Sequence, residues 1–260
     1  MNEYRDFAVN IALEAGELLM KNYGKMHQLD WHIRTNFKIE VDRMSDELIR
    51  GKIRENFPMH NIYSEEIEGL DNSSEFSWVC DPLDGTIPYT YEISDHFGVS
   101  ISLVKDRTPV IGVIYAPKRG ELYVAEEGKG AFCNDERMNV SQEHDVNKVL
   151  MGLDSGKETA RFKRAAVAQY YEKLLASDGI AAPISSACAS IPLCLVAKGN
   201  LHAYVALSLE PWDMAAAVII NREAGARVTN LEGRVWEIRD ESIVTANPIL
   251  HTKLLRLIGC

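Results

Sequence analysis

The sequence predicts an α/β sandwich, a fold in which sheets and helices pack in alternating layers. Strand-like segments cluster before residue 140, whereas helix-like and strand-like segments alternate after it. The 260 residues contain no internal repeat and no tract with the composition of a linker. We therefore expect a single domain over residues 1–260, with an N-terminal half of about residues 1–140 and a C-terminal half of about residues 141–260.

The first predicted elements are two helices followed by four strands. Phe7, Ile11 and Ala15 recur at helical spacing, which predicts an amphipathic helix over residues 7–23. A second helix is predicted over about residues 42–56, because a proline follows shortly after it. Apolar runs separated by Gly, Pro and Asp predict strands over residues 78–80, 99–104, 110–115 and 121–125.

The C-terminal half is predicted to mix helices and strands. Helices are expected over residues 157–176 and 191–198, and a Gly-Asn pair ends the second one. A strand is predicted over residues 201–207. An Ala-rich apolar stretch then predicts a helix that begins near Asp213.

Composition and charge exclude several classes of protein. The net charge of −10 and the lack of a basic run disfavour nucleic-acid binding. The N-terminus lacks the basic flank and apolar core of a signal peptide, and no apolar run is long enough to cross a bilayer. We therefore expect a cytoplasmic protein without a membrane partner. Its five cysteines include no CxxC pair, so we expect reduced thiols and no zinc site.

The run from Asp81 to Thr86, Asp-Pro-Leu-Asp-Gly-Thr, is the most informative stretch of the chain. Mg²⁺ sites in proteins commonly combine one or two carboxylates with phosphate oxygens of a substrate. Asp81 and Asp84 offer two carboxylates, and the Leu83 carbonyl offers a neutral oxygen between them. Because a proline restricts the residue before it, we expect Asp81 to end a strand. Gly85 permits unusual backbone angles, and the amides from this point onward could face an anion.

The same run is also typical of a loop, since Asp-Pro and Asp-Gly are common turn pairs. Two further segments bear on that alternative. Glu65 lies in a Ser-Glu-Glu sequence just upstream and adds a third carboxylate, although an isolated Glu pair is more often a solvated loop. Asp213 follows a Pro-Trp pair and precedes the Ala-rich stretch. Taken alone, Asp213 would be an ordinary helix N-cap.

Together the three acidic segments resemble the inositol monophosphatase family of Mg²⁺-dependent, lithium-sensitive phosphatases. The family pattern of Glu-Glu, then Asp-Pro-(Ile/Leu)-Asp-Gly-Thr, then Trp-Asp-x-Ala-Ala occurs here in order and at similar separations. The amphipathic helix at residues 7–23 and the segment Glu223-Ala224-Gly225 also have counterparts in the family. The resemblance thus covers most of the chain, and it implies a layered α-β-α-β-α sandwich.

The resemblance also implies a set of metal ligands. Glu65, Asp81 and the Leu83 carbonyl match the family's ligands for a first Mg²⁺. Asp81, Asp84 and Asp213 match the ligands of a second Mg²⁺, and some members hold a third, weaker ion through Glu65. We therefore expect two or three Mg²⁺ ions per subunit. Two neighbouring ions can stabilise both the entering and the leaving oxygen of an in-line displacement.

The remaining catalytic roles are assigned on the same grounds. The attacking water would lie near Glu65 and Thr86, and no covalent enzyme intermediate would form. Asp42 matches the family's hydrogen-bonding partner of Thr86. It could equally be the N-cap of the second helix, and both roles stay open. The Gly85 and Thr86 amides would receive the phosphate.

The substrate is less well determined by the sequence. Inositol 1-phosphate is the default, but Ala206 stands where inositol-specific members have a glutamate, and Pro192 replaces a common asparagine. The Gly-Ser/Thr-Ala segment beside the substrate is Ala-Cys-Ala at residues 187–189. Related enzymes hydrolyse histidinol phosphate, fructose 1,6-bisphosphate and 3'-phosphoadenosine 5'-phosphate. Glu210 lies where specificity is often set, and an acid there would suit a cationic substrate such as an aminocyclitol phosphate.

Two expectations concern assembly and class. The resemblance implies a homodimer that acts on a small phosphorylated substrate. A function of another class, a catalytically silent regulatory binding protein, is the alternative. The retained acidic residues argue against it, because a scaffold has no need of clustered carboxylates.

Overall fold

The computed structural model describes residues 1–25, 30–33, 36–66, 69, 71–154, 161–176 and 179–259. Helices and sheets alternate through these ranges, with one short 3₁₀ helix at Val146–Lys148. The α-helices are α1 (Asn2–Asn22), α2 (Glu40–Asn56), α3 (Thr86–Tyr91), α4 (Arg161–Leu174), α5 (Ser190–Ala197), α6 (Pro211–Glu223) and α7 (Pro248–Ile258).

The larger sheet is formed by the N-terminal half. Its strands, in spatial order, are β3 (Asn61–Ser64), β4 (Phe76–Asp84), β5 (Gly98–Lys105), β6 (Thr108–Ala116), β7 (Glu121–Glu126), β8 (Gly130–Cys133) and β9 (Glu136–Arg137). The β3–β4 pair is parallel, and the pairs from β4 to β9 are antiparallel. A separate hairpin joins β1 (Asp30–Ile33) to β2 (Asn36–Lys38).

The smaller sheet is formed by the C-terminal half. Its strands are β10 (Leu150–Asp154), β11 (Ala182–Ile184), β12 (Ala203–Leu207), β13 (Arg227–Thr229) and β14 (Ser242–Ala246). Their spatial order is β11-β10-β12-β14-β13. The strand β10 runs parallel to both of its neighbours, whereas β14 is antiparallel to both of its own.

The layers follow from where the helices pack. Helices α1 and α2 cover one face of the larger sheet, and α5 and α6 fill the space between the two sheets. On the outer face of the smaller sheet, α7 packs against β14 and α4 packs against α7. This arrangement confirms the layered α-β-α-β-α sandwich. Each sheet buries both faces, which explains why strand β6 is apolar throughout its core-facing residues.

The observed elements differ from the predicted ones mainly at their ends. Helix α1 begins five residues earlier than predicted, and residues 157–160 of the predicted third helix lie outside the described residues. The pattern analysis does not identify β14 or α7, although α7 has clear start signals. Asn247 Oδ1 accepts hydrogen bonds from the backbone N–H groups of Ile249 and Leu250, and Pro248 occupies the first helical position.

Cysteine chemistry agrees with the expectation of reduced thiols. Cys80, Cys133, Cys188 and Cys194 are buried and free. Cys260 lies outside the described residues.

Among the helices of the described ranges, none has the length and apolar character needed to cross a membrane.

Gly112 in β6 marks the closest approach of α6 to the larger sheet. A Cβ atom at this position would lie 2.4 Å from the Ala216 carbonyl oxygen and 2.5 Å from Ile219 Cγ2. Both contacts belong to α6, the helix that carries Asp213. The absence of a side chain at Gly112 therefore sets how near α6 lies to the sheet.

Replacing Gly112 with Ala is expected to lower the free energy of unfolding by about 1–3 kcal/mol, because a packed helix must move to admit the methyl group. Gly51→Ala in α2 is the matched control, since nothing lies within 4 Å of the added Cβ. That control should leave stability unchanged or raise it by about 0.5–1 kcal/mol. Urea unfolding of both variants tests the pair, and equal midpoints would contradict the packing argument.

Candidate metal centre

A β-bulge brings Asp81 and Asp84 to the same face of the larger sheet. Asp81 pairs with Ser100 on β5 and Asp84 pairs with Gly98, so β4 advances three residues while β5 advances two. In a regular strand, residues three apart point to opposite faces, and one extra residue reverses that outcome. The strand therefore continues to Asp84 and does not end at Asp81 as predicted.

The bulge is fixed by side chains and by its own sequence. Pro82 has no N–H to lose from the ladder, which suits a bulge. Its carbonyl oxygen accepts a hydrogen bond from Ser45 Oγ of α2 at 2.9 Å. Asp81 Oδ1 accepts one from the Leu83 N–H at 3.0 Å. The direction of the first acid is thus set within its own turn.

Asp213 reaches the site from the start of α6. Glu210 is the N-cap and Pro211 occupies the first helical turn, so Asp213 stands at the third helical position. Its Oδ2 accepts a hydrogen bond from the Glu210 N–H at 2.7 Å. The N-cap interpretation of Asp213 is therefore wrong by three residues, because the helix begins at the proline.

The three aspartates converge. Each of Asp81, Asp84 and Asp213 is buried, and each offers a carboxylate oxygen within 4.8 Å of the oxygens of the other two. Like charges this close disfavour one another's ionised form unless a cation offsets them. Carboxylate oxygens are the ligands that hard divalent cations prefer. The residues present therefore fit a divalent metal ion.

Asp84 is held by the beginning of α5. Its Oδ2 accepts hydrogen bonds from Cys188 Sγ at 3.1 Å, from the Ala189 N–H at 3.0 Å and from the Ser190 N–H at 2.6 Å. Burial, together with the neighbouring Asp84 carboxylate, raises the pKa of Cys188, so its thiol stays protonated and donates. Donation of this kind fixes the direction of a carboxylate that would bind a metal.

The supporting role of residues 188–190 was not predicted from the sequence, in which the Ala-Cys-Ala segment at residues 187–189 is only a departure beside the substrate. The preceding residue, Ala187, has φ of 53°, a backbone conformation in which glycine is favoured. An Ala-Cys-Ala sequence gives no indication of a residue with positive φ just before a helix, so this turn could not be predicted.

Gly85 and Thr86 follow the second acid. Gly85 has φ of 85°, and a Cβ there would lie 2.4 Å from the His96 carbonyl oxygen, so only glycine fits. Thr86 Oγ1 donates to the Leu83 carbonyl oxygen at 3.2 Å. That carbonyl is the oxygen predicted to bind metal, and a carbonyl oxygen retains a second lone pair for this purpose.

Asp42 and Glu65 are the remaining acids with predicted roles. Asp42 is buried at the third position of α2, and its Oδ2 accepts from the Ile39 N–H at 2.7 Å. The N-cap alternative for Asp42 is therefore wrong by three residues, because Ile39 is the N-cap, and the role beside Thr86 stays a prediction. The parallel pairing of Ser64 with Cys80 puts Glu65 alongside Asp81 in the backbone register. Glu65 is not a member of the 4.8 Å group found among the described residues, and it stays a proposed ligand.

Comparisons with known proteins agree with this geometry. The sequence model of the Inositol monophosphatase family matches residues 1–259. The Nus factor SuhB of Pasteurella multocida is 32% identical over 264 residues, covering 99% of this chain and 96% of that protein. The fructose-1,6-bisphosphatase/inositol-1-monophosphatase of Thermotoga maritima is 29% identical, covering 98% and 95%. The crystal structure of the extragenic suppressor protein suhB from Bartonella henselae has a TM-score of 0.91 at 29% identity, covering 98% and 97%.

The hydrogen bond from the Cys188 thiol to Asp84 can be tested without measuring turnover. Cys188→Ala removes one of three donors that orient this acid, and we expect Mg²⁺ or Mn²⁺ affinity to fall about tenfold. Cys194→Ala is the matched control, because Cys194 is equally buried in α5 without a hydrogen bond to an acid in the described structure. Calorimetric titration of both variants measures the difference. Equal metal affinities would contradict a positioning role for Cys188.

Proposed function

The chain belongs to the inositol monophosphatase family, and from that premise we propose that it is a Mg²⁺-dependent phosphomonoesterase acting on small phosphorylated polyols such as inositol 1-phosphate. Family membership confirms the resemblance found in the sequence and assigns the chain to a family of phosphatases. The metal identity, the substrate and the individual residue roles below are our proposals.

The convergence of three buried aspartates carries the proposal. Burying a carboxylate costs free energy unless it is paired, hydrogen-bonded or bound to a metal. This chain buries three of them with carboxylate oxygens within 4.8 Å of one another. Two of the three lie on β4 and one lies on α6. Such an arrangement has a clear use in holding cations beside a phosphate and none in a purely structural core. It favours an active enzyme over a catalytically silent member.

We assign the metal ligands as the family pattern implies. Glu65, Asp81 and the Leu83 carbonyl would hold one Mg²⁺, and Asp81, Asp84 and Asp213 a second. Glu65 would also support a third ion where one binds. When bound, the ions supply Lewis-acid stabilisation of phosphate oxygens and a more acidic water. The protein's own part is to present the oxygens in fixed positions.

The protein residues around the phosphate would orient it and the attacking water. The amide groups of Gly85 and Thr86 would donate hydrogen bonds to phosphate oxygens. Thr86 Oγ1 and Glu65 would hold the water on the side opposite the leaving group. The Thr86 hydroxyl would turn from the Leu83 carbonyl oxygen, to which it donates in this structure, and donate to Asp42 instead. Its oxygen would then be a better acceptor from that water.

A carboxylate beside Ala206 bears on substrate choice. Asp154 at the end of β10 pairs with Ala206 of β12, so the two side chains project to the same face of the smaller sheet. Ala206 and Tyr204 belong to the core between the sheets, and this face therefore looks toward the metal cluster. We propose that Asp154 supplies the hydroxyl-binding carboxylate that other family members carry at the position of Ala206.

Other substrates of the same chemistry remain alternatives. One relative is named a fructose-1,6-bisphosphatase/inositol-1-monophosphatase, which favours a sugar bisphosphate among them. Histidinol phosphate, 3'-phosphoadenosine 5'-phosphate and aminocyclitol phosphates complete the set. Glu210 is exposed at the N-cap of α6, where its charge would meet a cationic substrate at the rim of the site.

A role outside catalysis is the second candidate function. Several relatives at 30–32% identity are named Nus factor SuhB, and they align over nearly the whole chain. We propose that such a role accompanies phosphatase activity in this chain, because the acidic cluster is retained. Lithium sensitivity, a homodimer and a cytoplasmic location are proposed from family resemblance.

Phosphate release from a panel of phosphomonoesters tests the reaction itself. We expect turnover with Mg²⁺ and none with EDTA, since carboxylates alone cannot offset the phosphate charge. Asp84→Asn should lower kcat/KM at least about a hundredfold while the folded state persists, because it removes a charged ligand. Asp6→Asn, an exposed acid on α1, is the control. Full activity of Asp84→Asn, with its fold verified by thermal unfolding, would overturn the metal assignment.

Substrate preference is tested by two further variants. Asp154→Asn is expected to raise KM for neutral polyol phosphates about tenfold, because one charge-assisted hydrogen bond to the substrate is lost. Glu210→Gln is expected to raise KM only for cationic substrates, such as histidinol phosphate. The ratio of kcat/KM for inositol 1-phosphate and histidinol phosphate separates the two effects. An unchanged ratio in Glu210→Gln would contradict its rim role.

A further inference from the structure

A pocket lies beside the acidic cluster. Its volume is about 370 Å³, at the lower end of the range for small-molecule sites. Tyr63, Val79 and Trp212 line it. Each of these residues precedes a proposed metal ligand by one or two positions. The pocket therefore uses the same three segments as the metal centre, and Ser77 continues its lining toward the beginning of β4.

Two arginines make this pocket cationic. Arg107 and Arg239 both line it, and both are exposed. Within the described part of the chain, neither guanidinium lies within 4 Å of a carboxylate. Trp212 contributes an aromatic wall, and its fully buried Nε1 does not reach the open space of the pocket.

The loops that carry the arginines are ordered by their own contacts. Arg107 sits in the tight turn between β5 and β6 with φ of 73°. Arg239 follows Trp236 in a loop where the Asp240 carboxylate accepts from Asn230 Nδ2 at 3.0 Å and from the Glu237 N–H at 2.8 Å. The Asp240 carboxylate is therefore occupied by hydrogen bonds within its own loop. Arg107 and Arg239 thus place two positive charges at one pocket of a chain whose net charge is −10.

We propose that this pocket binds a small organic anion. Its carboxylate or phosphoryl group would lie between the Arg107 and Arg239 guanidiniums, which suit planar and bidentate recognition of such groups. Its apolar body would fill the space against Val79, Val104 and Ile238 and contact the Trp212 ring. The site differs from the catalytic one because the acidic cluster, without metal, repels anions. The proposal does not depend on the phosphatase activity.

Binding in metal-free protein is the direct test. After metal is removed with EDTA and the EDTA is removed by dialysis, we would titrate benzoate and phenylphosphonate separately, which distinguishes a carboxylate from a phosphoryl ligand. Benzamide serves as the uncharged probe. Calorimetry is expected to show one saturable site for at least one anion and binding at least about tenfold weaker for benzamide. The change in tryptophan fluorescence is expected to follow the same curve, because Trp212 lines the pocket.

Variants locate the site. The double variant Arg107→Gln/Arg239→Gln is expected to weaken anion binding at least about tenfold, as expected when charge-assisted hydrogen bonds are lost. Ile238→Ala, which removes part of the apolar wall, should weaken it severalfold. Arg137→Gln, an exposed arginine on β9 at the other edge of the sheet, is the control and should not change it.

Three results would overturn the proposal. They are no saturable binding of either anion, equal binding of benzamide, and undiminished binding in the double arginine variant. Each variant's thermal unfolding verifies its fold, so that a binding loss cannot come from unfolding. Because the readout is made without metal and without substrate, a failed pocket and a failed phosphatase assignment give different results.

Discussion

The need to keep three carboxylates buried and close together constrains the architecture around them. Each acid whose contacts are described is held by backbone N–H groups that its own segment or a helix start supplies. Asp81 accepts from Leu83, Asp213 from the N-cap of α6, and Asp84 from the first residues of α5. Backbone donors at helix starts lack partners within the helix, so they are available for this purpose. The layer of α5 and α6 between the sheets therefore serves packing and acid placement at once.

That double use explains why the fold needs both of its halves. Asp81 and Asp84 come from the larger sheet, whereas Asp213 and the donors to Asp84 come from the helices that the smaller sheet covers. The distance between the sheets is set by close packing, most tightly where α6 passes Gly112. Small residues along α6, such as Ala215, Ala216 and Ala217, keep that helix near both sheets. Core packing thereby fixes the distances between oxygens in the metal centre.

Much of this could be predicted from the sequence, and the reasons differ by residue. Periodicity predicts α1 and α2, and the resemblance of the acidic motifs to the family pattern implies the layered fold and the converging aspartates. The β-bulge at Asp81 to Asp84 could not be predicted, since it depends on the pairing partner β5. The support from Cys188 could not be predicted either, because it joins residues 104 positions apart. Glu65 has a predicted role that the backbone register favours and that only metal binding can establish.

The bulge in β4 also gives the spacing of the Asp-Pro-Leu-Asp sequence a geometric meaning. Trp78, Cys80 and Leu83 all face the layer of α1 and α2, so the strand skips one residue in its alternation between Cys80 and Leu83. If Asp81 to Asp84 paired as a regular strand, without the extra residue of the bulge, the destinations of the side chains beyond Asp81 would be exchanged. The second acid would then enter the apolar layer and the leucine would enter the metal site. An interval of three residues between the two acids is thus compatible with one shared face only because of the bulge, so the backbone of this segment is as constrained as its chemistry.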